Sequence, residues 1–401
     1  MDTPPVPAQV PGRWRDPKRL LWPLAALAPC LPLLTLAHLH PLVGHLGWWL
    51  PLVGTLTVIP LTDRLVGDDT SNPPEGEGRS IRGSAYYRWC TYVFIPLQYL
   101  SLVWVCSQWA SPELSVLDRA GLAFAAGWVG ALGLNVAHEL GHTTAEAERW
   151  LSKVALAQIA YGHFYVAHNR GHHLHVATPG DPSSARLGES FWHFLPRVVA
   201  GRPVDALRAE ARRLARRGHR PWHPGNDVLN SWGVAVALFA GLAVAFGPGI
   251  MPFLVLQAAF GVCVLEAGAY LDHYGLLRER RPDGRYERPS PRHSWNGDAI
   301  VSSVLLFHSQ RHSDHHTNPL RPYPVLRHDE ASPQLPAGFV SMIVLAWVPP
   351  LWRRLMDPKV VAHYGGDVTL ANIHPPARAR LLARYGGVAR YGGVTAPVSG
   401  P

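Results

Sequence analysis

Lysine is nearly absent from this 401-residue chain, three residues against 34 arginines. Charge is sparse altogether, at 16% of residues, where soluble domains carry about a quarter. The apolar residues gather into long runs instead of alternating with polar ones, which excludes an ordinary pair of soluble domains. Cysteine is also scarce. Cys30, Cys90, Cys106 and Cys263 form no Cys-x-x-Cys pair, so neither a disulfide framework nor a thiolate metal site is expected. Most of them lie in apolar segments, where cysteine acts as a small hydrophobe. No interleaved aromatic and basic motif accompanies the net charge of +9, and nucleic acid is not an expected partner. The arginines flank the apolar runs instead, as on a membrane-facing surface. A proline-rich stretch precedes the first run, with no convincing cleavage site after it. That run is expected to stay in the membrane.

Runs of about 20 apolar residues suit helices that cross the hydrocarbon core. Six are expected: Leu20 to His38, Gly44 to Leu61, Tyr87 to Ser107, Leu117 to Val136, Trp232 to Phe246 and Met251 to Tyr270. The arginine-rich connections alternate with short ones that carry almost none. The positive-inside tendency then places the arginine-rich side, and both termini, in the cytoplasm. The fold expected is an all-α integral membrane protein: a cytoplasmic segment 1–19, one membrane bundle with its cap over 20–375, and a flexible tail 376–401. The apolar stretch Gly338 to Met356 contains Pro349 and Pro350 and ends in Trp-Arg-Arg. It reads as an interfacial or packing helix, not a seventh span.

Three histidine clusters stand out: His138-Glu-Leu-Gly-His142, His168-Asn-Arg-Gly-His172-His173 and His312-Ser-Asp-His315-His316. On a helix such spacings put the imidazoles on one face within about a turn. Imidazole suits iron, zinc and copper. Eight histidines exceed what one tetrahedral zinc takes, so two metal ions are the simplest reading. All three clusters fall on the cytoplasmic side of a topology drawn without them. His273, at the same depth, is expected as a ninth ligand, with Asp272 beside it for charge compensation. His308, one turn before His312, is within reach of the site.

Alone, His-Glu-x-x-His would also fit a zinc protease with Glu139 as general base. Six further histidines have no use in a single-zinc enzyme. A metal transporter would need ionisable residues inside several spans, and these spans are nearly uncharged. Nitrogen-rich ligation at a membrane boundary points to a redox metal and an apolar substrate.

The stretches Asn135 to His142, His168 to Pro182, Leu271 to Leu276, Gly284 to Arg288, His293 to Asn296 and Leu306 to His316 resemble the bacterial alkane 1-monooxygenases. These belong with the integral-membrane diiron hydroxylases and desaturases. The resemblance runs from about Asp63 to past Gly366. It implies six helices and a cytoplasmic cap with two irons held by His138, His142, His168, His172, His173, His273, His312, His315 and His316. It further implies hydroxylation of a terminal methyl by O2 to a primary alcohol, with electrons from a rubredoxin and its reductase. Hydroxylation of alkyl-aromatic methyl groups and fatty-acyl desaturation are the alternatives. Glu139 and Asp314 are expected behind the ligands, together with Asp272 and His308. Arg170, Arg288, Arg311 and Arg321 would steer an acidic carrier. Thr55 on the small-sided second span is expected along the substrate channel. Ala167 stands where members often carry Glu, and the cysteines of a fused rubredoxin are lacking.

Overall fold

The computed structural model describes residues 14–31 and 44–386. Among the described residues there is no strand, only isolated bridges such as Leu187–Ile373. The helices used below are α1 Trp22–Leu27, α2 Leu50–Val66, α3 Ala85–Trp109, α4 Val116–Gly141, α5 Glu146–Ala157, α6 Phe191–Ala215 and α7 Asp227–Phe246. They continue with α8 Met251–His273, α9 Ile300–Leu305, α10 His312–Thr317, α11 Phe339–Ala346, α12 Pro349–His363 and α13 Arg378–Tyr385.

Among the described residues, four segments are long and apolar enough to cross a membrane: α3, α4, α7, and α8 with the turn before it from Pro248. Each contains one of the expected runs. The second run forms α2 behind a 3-10 turn, Gly44–Trp49. The first gives α1 and a 3-10 turn, Ala28–Cys30; most of its remainder lies outside the described residues.

The enclosed helix is α4. Its start is fixed by a capping box, in which Ser115 and Asp118 satisfy each other's backbone N–H groups. Small residues then let α8 close on it. A Cβ added at Gly127 would sit 2.5 Å from the Gln257 carbonyl, and one at Gly261 would sit 2.5 Å from Ile159 and 2.9 Å from the Gly127 carbonyl. Apolar membrane helices gain little from burial against lipid, so such close backbone approach supplies much of their cohesion. The helix α7 is the most outward-facing, with Val236 and Val244 exposed.

The stretch Gly338 to Met356 is not one helix. Trp347–Val348 breaks it, and Pro349 starts α12 where a missing N–H costs nothing. The contacts of the two halves run in opposite directions along α8. Phe339 meets Gly268 and Trp347 meets Phe260, so α11 descends. Trp352 then packs on Tyr270 and Tyr274, the Tyr274 hydroxyl donates to Asp357 at 2.6 Å, and the Tyr364 hydroxyl meets Leu277 N, so α12 climbs back. This hairpin packs against α8 and does not span. The segment expected as a tail from 376 begins with helix α13, whose Leu381 is buried; residues 387–401 lie outside the described residues.

Gly261→Val should push α8 off α4 and lower stability by about 1–3 kcal/mol. The check is the thermal midpoint in detergent, where an unchanged value would mean the contact has slack.

Candidate metal centre

The antiparallel order of α3, α4, α7 and α8 brings Ala85, Gly141, Asp227 and His273 to one end of the bundle. The histidine clusters assemble there. Two groups form, each with candidate ligand atoms within 4.8 Å of one another: His138, His142, His168 and His315, and His172, His273, His312 and His316. His173 lies between them. Its Nε2 is 3.0 Å from those of His168 and His315, and its ring centroid is 4.6 Å from that of His316.

The clusters do not each present one face to one metal. Within α4, the i and i+4 pair His138 and His142 joins the first group. The segment His168–His172 is a π-helical turn, with His173 N reaching back to the His168 carbonyl. A π-turn is wider than an α-turn. It lets His168 face one group and His172 the other, with His173 between them. In α10, His312 and His316 join the second group and His315, on the neighbouring face, joins the first.

The residues between the ligands anchor these turns. Asn169 donates to the carbonyls of Gly141 and Tyr165 and so ties the turn to the end of α4. Arg170 points away from the metal groups into Glu210 and Asp227, the latter at 2.7 Å. Lys153 joins the same network, 2.6 Å from Asp227. Behind the third cluster, Asn296 exchanges two hydrogen bonds with Ser313. Phe307 and His308 hold positive φ angles of 50° and 55°, a left-handed reversal that non-glycine residues keep only when their surroundings fix it. His308 supplies part of that fixing. Its ring lies 2.9 Å from Lys18 Nζ and 3.0 Å from the Tyr323 carbonyl, edge-on to Trp22.

The nitrogens are set to receive a cation. The His316 Nε2 faces those of His312 at 3.0 Å and His172 at 3.2 Å. The Nε2 atoms of His138, His142 and His273 are buried with no hydrogen-bond partner. A ring nitrogen carries at most one hydrogen, so such crowding leaves lone pairs turned on one another. Burial, with the neighbouring imidazoles, holds His168, His173, His315 and His316 well below the ordinary histidine pKa. These rings are therefore neutral near pH 7, the form that ligates metal.

Two contacts behind the rings orient them. His172 Nδ1 pairs with Asp181 at 2.8 Å, and His273 Nδ1 with the His293 carbonyl at 2.9 Å. Each leaves Nε2 free for metal. Burial alone would raise the Asp181 pKa, but His172 and hydrogen bonds from Ser184 and Ser183 hold it below the usual carboxylate range. The sequence reading did not single out Asp181. Its signal was an Asp-Pro nine residues after His172, inside a stretch already quoted.

The residues expected behind the ligands separate. Asp272 lies 3.6 Å from His312 Nε2. Glu139 accepts from Tyr323 N and touches no imidazole among the described contacts. Asp314 turns to Arg321, Asn318 and the Arg327 backbone. His308 braces its loop against Lys18. The Thr55 hydroxyl donates to Pro51 within its own helix. Of the arginines expected to steer a carrier, Arg311 is buried against Asp298 and backbone carbonyls, while Arg170 and Arg321 are ion-paired. Arg288 is exposed.

A cavity of about 70 Å³ reaches both groups from the bundle side, between Leu134, Phe164, Leu265 and Phe339. Another of about 240 Å³ opens on His142 and His315 past Glu139, Arg82 and Arg88.

Apolar helices of membrane-crossing length, ending in two converging groups of imidazoles, define a membrane protein of the histidine-rich metal-binding class. Residues 119–346 match the fatty acid desaturase family. The chain is 39% identical to the alkane 1-monooxygenase of Acinetobacter baylyi over 378 residues, and 40% identical to that of Ectopseudomonas oleovorans over 376, in each case covering 92% of both chains. It is 28% identical over 253 residues to the xylene/toluene monooxygenase hydroxylase component of Pseudomonas putida, covering 61% of this chain and 65% of that one. This chain belongs to the fatty acid desaturase family and, within it, to the alkane 1-monooxygenases.

Asp181→Asn keeps the size of the side chain but withdraws its charge from His172, and should weaken metal binding about 10- to 100-fold. Metal content at limiting iron measures this; full occupancy would show that the carboxylate does not orient the ring. Acid should destabilise the metal-free protein. Unfolded histidines take up protons from about pH 6.5, and the folded cluster only far below it. The unfolded state then binds more protons, so stability is complete above about pH 6.5 and falls as pH drops below it. A thermal midpoint that stays flat between about pH 7.5 and about pH 5.5 would contradict the buried neutral rings.

Proposed function

We propose that the chain hydroxylates the terminal methyl group of alkanes with O2 at two irons. The carrying observation is the mostly apolar cavity that ends on both imidazole groups. His138, His142, His168, His173 and His315 would hold one iron, and His172, His273, His312 and His316 the other. Bound iron supplies the activation of O2. The chain's part is positional. Leu134, Leu265, Phe164 and Phe339 receive a hydrocarbon end and keep water from it, and the packed walls limit which carbon reaches the metals.

Splitting O2 into an alcohol oxygen and water takes two electrons from outside. We assign them to a separate rubredoxin with its reductase, since no Cys-x-x-Cys pair occurs in this chain to hold such a centre. The bundle over 20–375 would cross the bacterial inner membrane six times, the first and second apolar runs of the sequence adding to the four long helices. The histidine end and both termini would face the cytoplasm, in keeping with the arginine distribution. The relative named for xylene and toluene keeps a second reading open, hydroxylation of alkyl-aromatic methyl groups.

Purified protein should carry about two irons per chain. Cells that co-express a rubredoxin and its reductase should convert a medium-chain alkane to the primary alcohol. One zinc with no iron would overturn the proposal, and turnover of alkyl-aromatics alone would transfer it to the second reading.

A further inference from the structure

The hairpin α11–α12 carries a feature that alkane oxidation does not use. Pro350, Arg353, Arg354 and Asp357 recur along one face of α12, and Arg380, Leu381 and Arg384 along one face of α13. Together they line a cleft of about 390 Å³. Four guanidinium groups meet one carboxylate, and that carboxylate accepts the Tyr274 hydroxyl. None of the four arginines makes an ion pair among the described residues, and Arg353 Nε is buried without a hydrogen-bond partner. Three half-buried arginines elsewhere, Arg170, Arg197 and Arg213, are each closely ion-paired. The cleft is an unbalanced patch of positive charge.

Its depth is fixed by the contacts of α12. Trp352 lies against Tyr270 and Tyr274, and Asp357 against Tyr274. The arginines therefore sit level with the end of α8, where the apolar span stops and a headgroup layer begins. Val344, Val348, Leu351 and Leu355 are exposed on the same hairpin at its deeper turn or beside the cleft. Trp192, half exposed, donates to the Trp347 carbonyl at the hairpin tip. Exposed aliphatic groups below and guanidinium groups above match the order of acyl chain and phosphate in one phospholipid molecule.

We propose that the cleft between α12 and α13 binds the phosphate of an anionic phospholipid, with an acyl chain laid along Val348 and Leu351. Guanidinium groups recognise phosphate oxygens through paired, charge-assisted hydrogen bonds. A lipid held there would clamp the hairpin against α8, and α11 brings Phe339 to the cavity wall. This holds whether or not the substrate assignment does.

The test uses delipidated, iron-loaded protein in detergent and follows binding of phosphatidylglycerol and phosphatidylcholine with the same acyl chains by native mass spectrometry. Phosphatidylglycerol should bind about tenfold more tightly, and Arg353→Ser with Arg380→Ser should remove that preference. The corresponding double Lys variant should keep most of it. Arg354→Ser with Arg384→Ser, at two exposed positions, repeats the test should the first pair fold poorly. Equal binding of the two lipids, or an unchanged preference in both Ser variants, would overturn the proposal. So would competition by inorganic phosphate at concentrations equal to the lipid, which would make this a free-phosphate site. A raised KM for the reduced electron carrier with lipid binding intact would give the surface to a protein partner and overturn it as well. Iron content should not change in any of these variants.

Discussion

Nine imidazoles in one enclosed place leave the Nε2 atoms of His138, His142 and His273 without a partner. Neutral rings have a single N–H each, and here several Nε2 atoms face other Nε2 atoms near 3.0 Å. Cations placed between them would engage those lone pairs, and the architecture keeps the rings there. Helices α4 and α8 need a close seam at Gly127 and Gly261, because any separation would draw His138 and His142 away from His273. The loops that bring the other two clusters need anchors strong enough to hold a left-handed reversal and a π-turn. Those anchors are the polar residues between the ligands.

The same economy shapes the lower part of the bundle. The hairpin α11–α12 reaches down the side of α8 and returns. It closes the cavity with Phe339 while leaving the metal end open to the loops. A continuous seventh span would have carried residues 357–386 to the opposite side of the bundle. The break at Trp347–Val348 keeps α12, α13 and the Leu187–Ile373 bridge with the metal end.

Much of this was legible in the sequence. Hydropathy located the four long helices, because length and composition suffice for a helix that must satisfy its own backbone. Ligand spacing marked eight histidines, and depth brought in His273. The division of the clusters between two groups was not legible. Simple helical periodicity puts neighbours three or four residues apart on one face, whereas here a π-turn and the orientation of α10 send adjacent histidines to different groups. His308 and Asp314 were judged by proximity in sequence, and their partners, Lys18 and Arg327, come from tertiary contacts that spacing does not encode. Arg311 looked like surface charge for the same reason. Asp181 escaped because one carboxylate in a loop carries no period at all.

The scarcity of lysine has a consequence beyond composition. Of the three ammonium groups, Lys18 and Lys153 are buried against Asp69 and Asp227. Burial pulls the Lys18 pKa below its ordinary value, against the opposing hydrogen bond it donates to Asp69. The outward positive charge is therefore almost entirely guanidinium, which keeps its proton throughout the range of pH a cell meets. It also offers few primary amines to acetylation or to amine-directed reagents. The electrostatic face that this protein turns to its surroundings is a fixed property of the chain, beyond the reach of the modifications that retune lysine-rich surfaces.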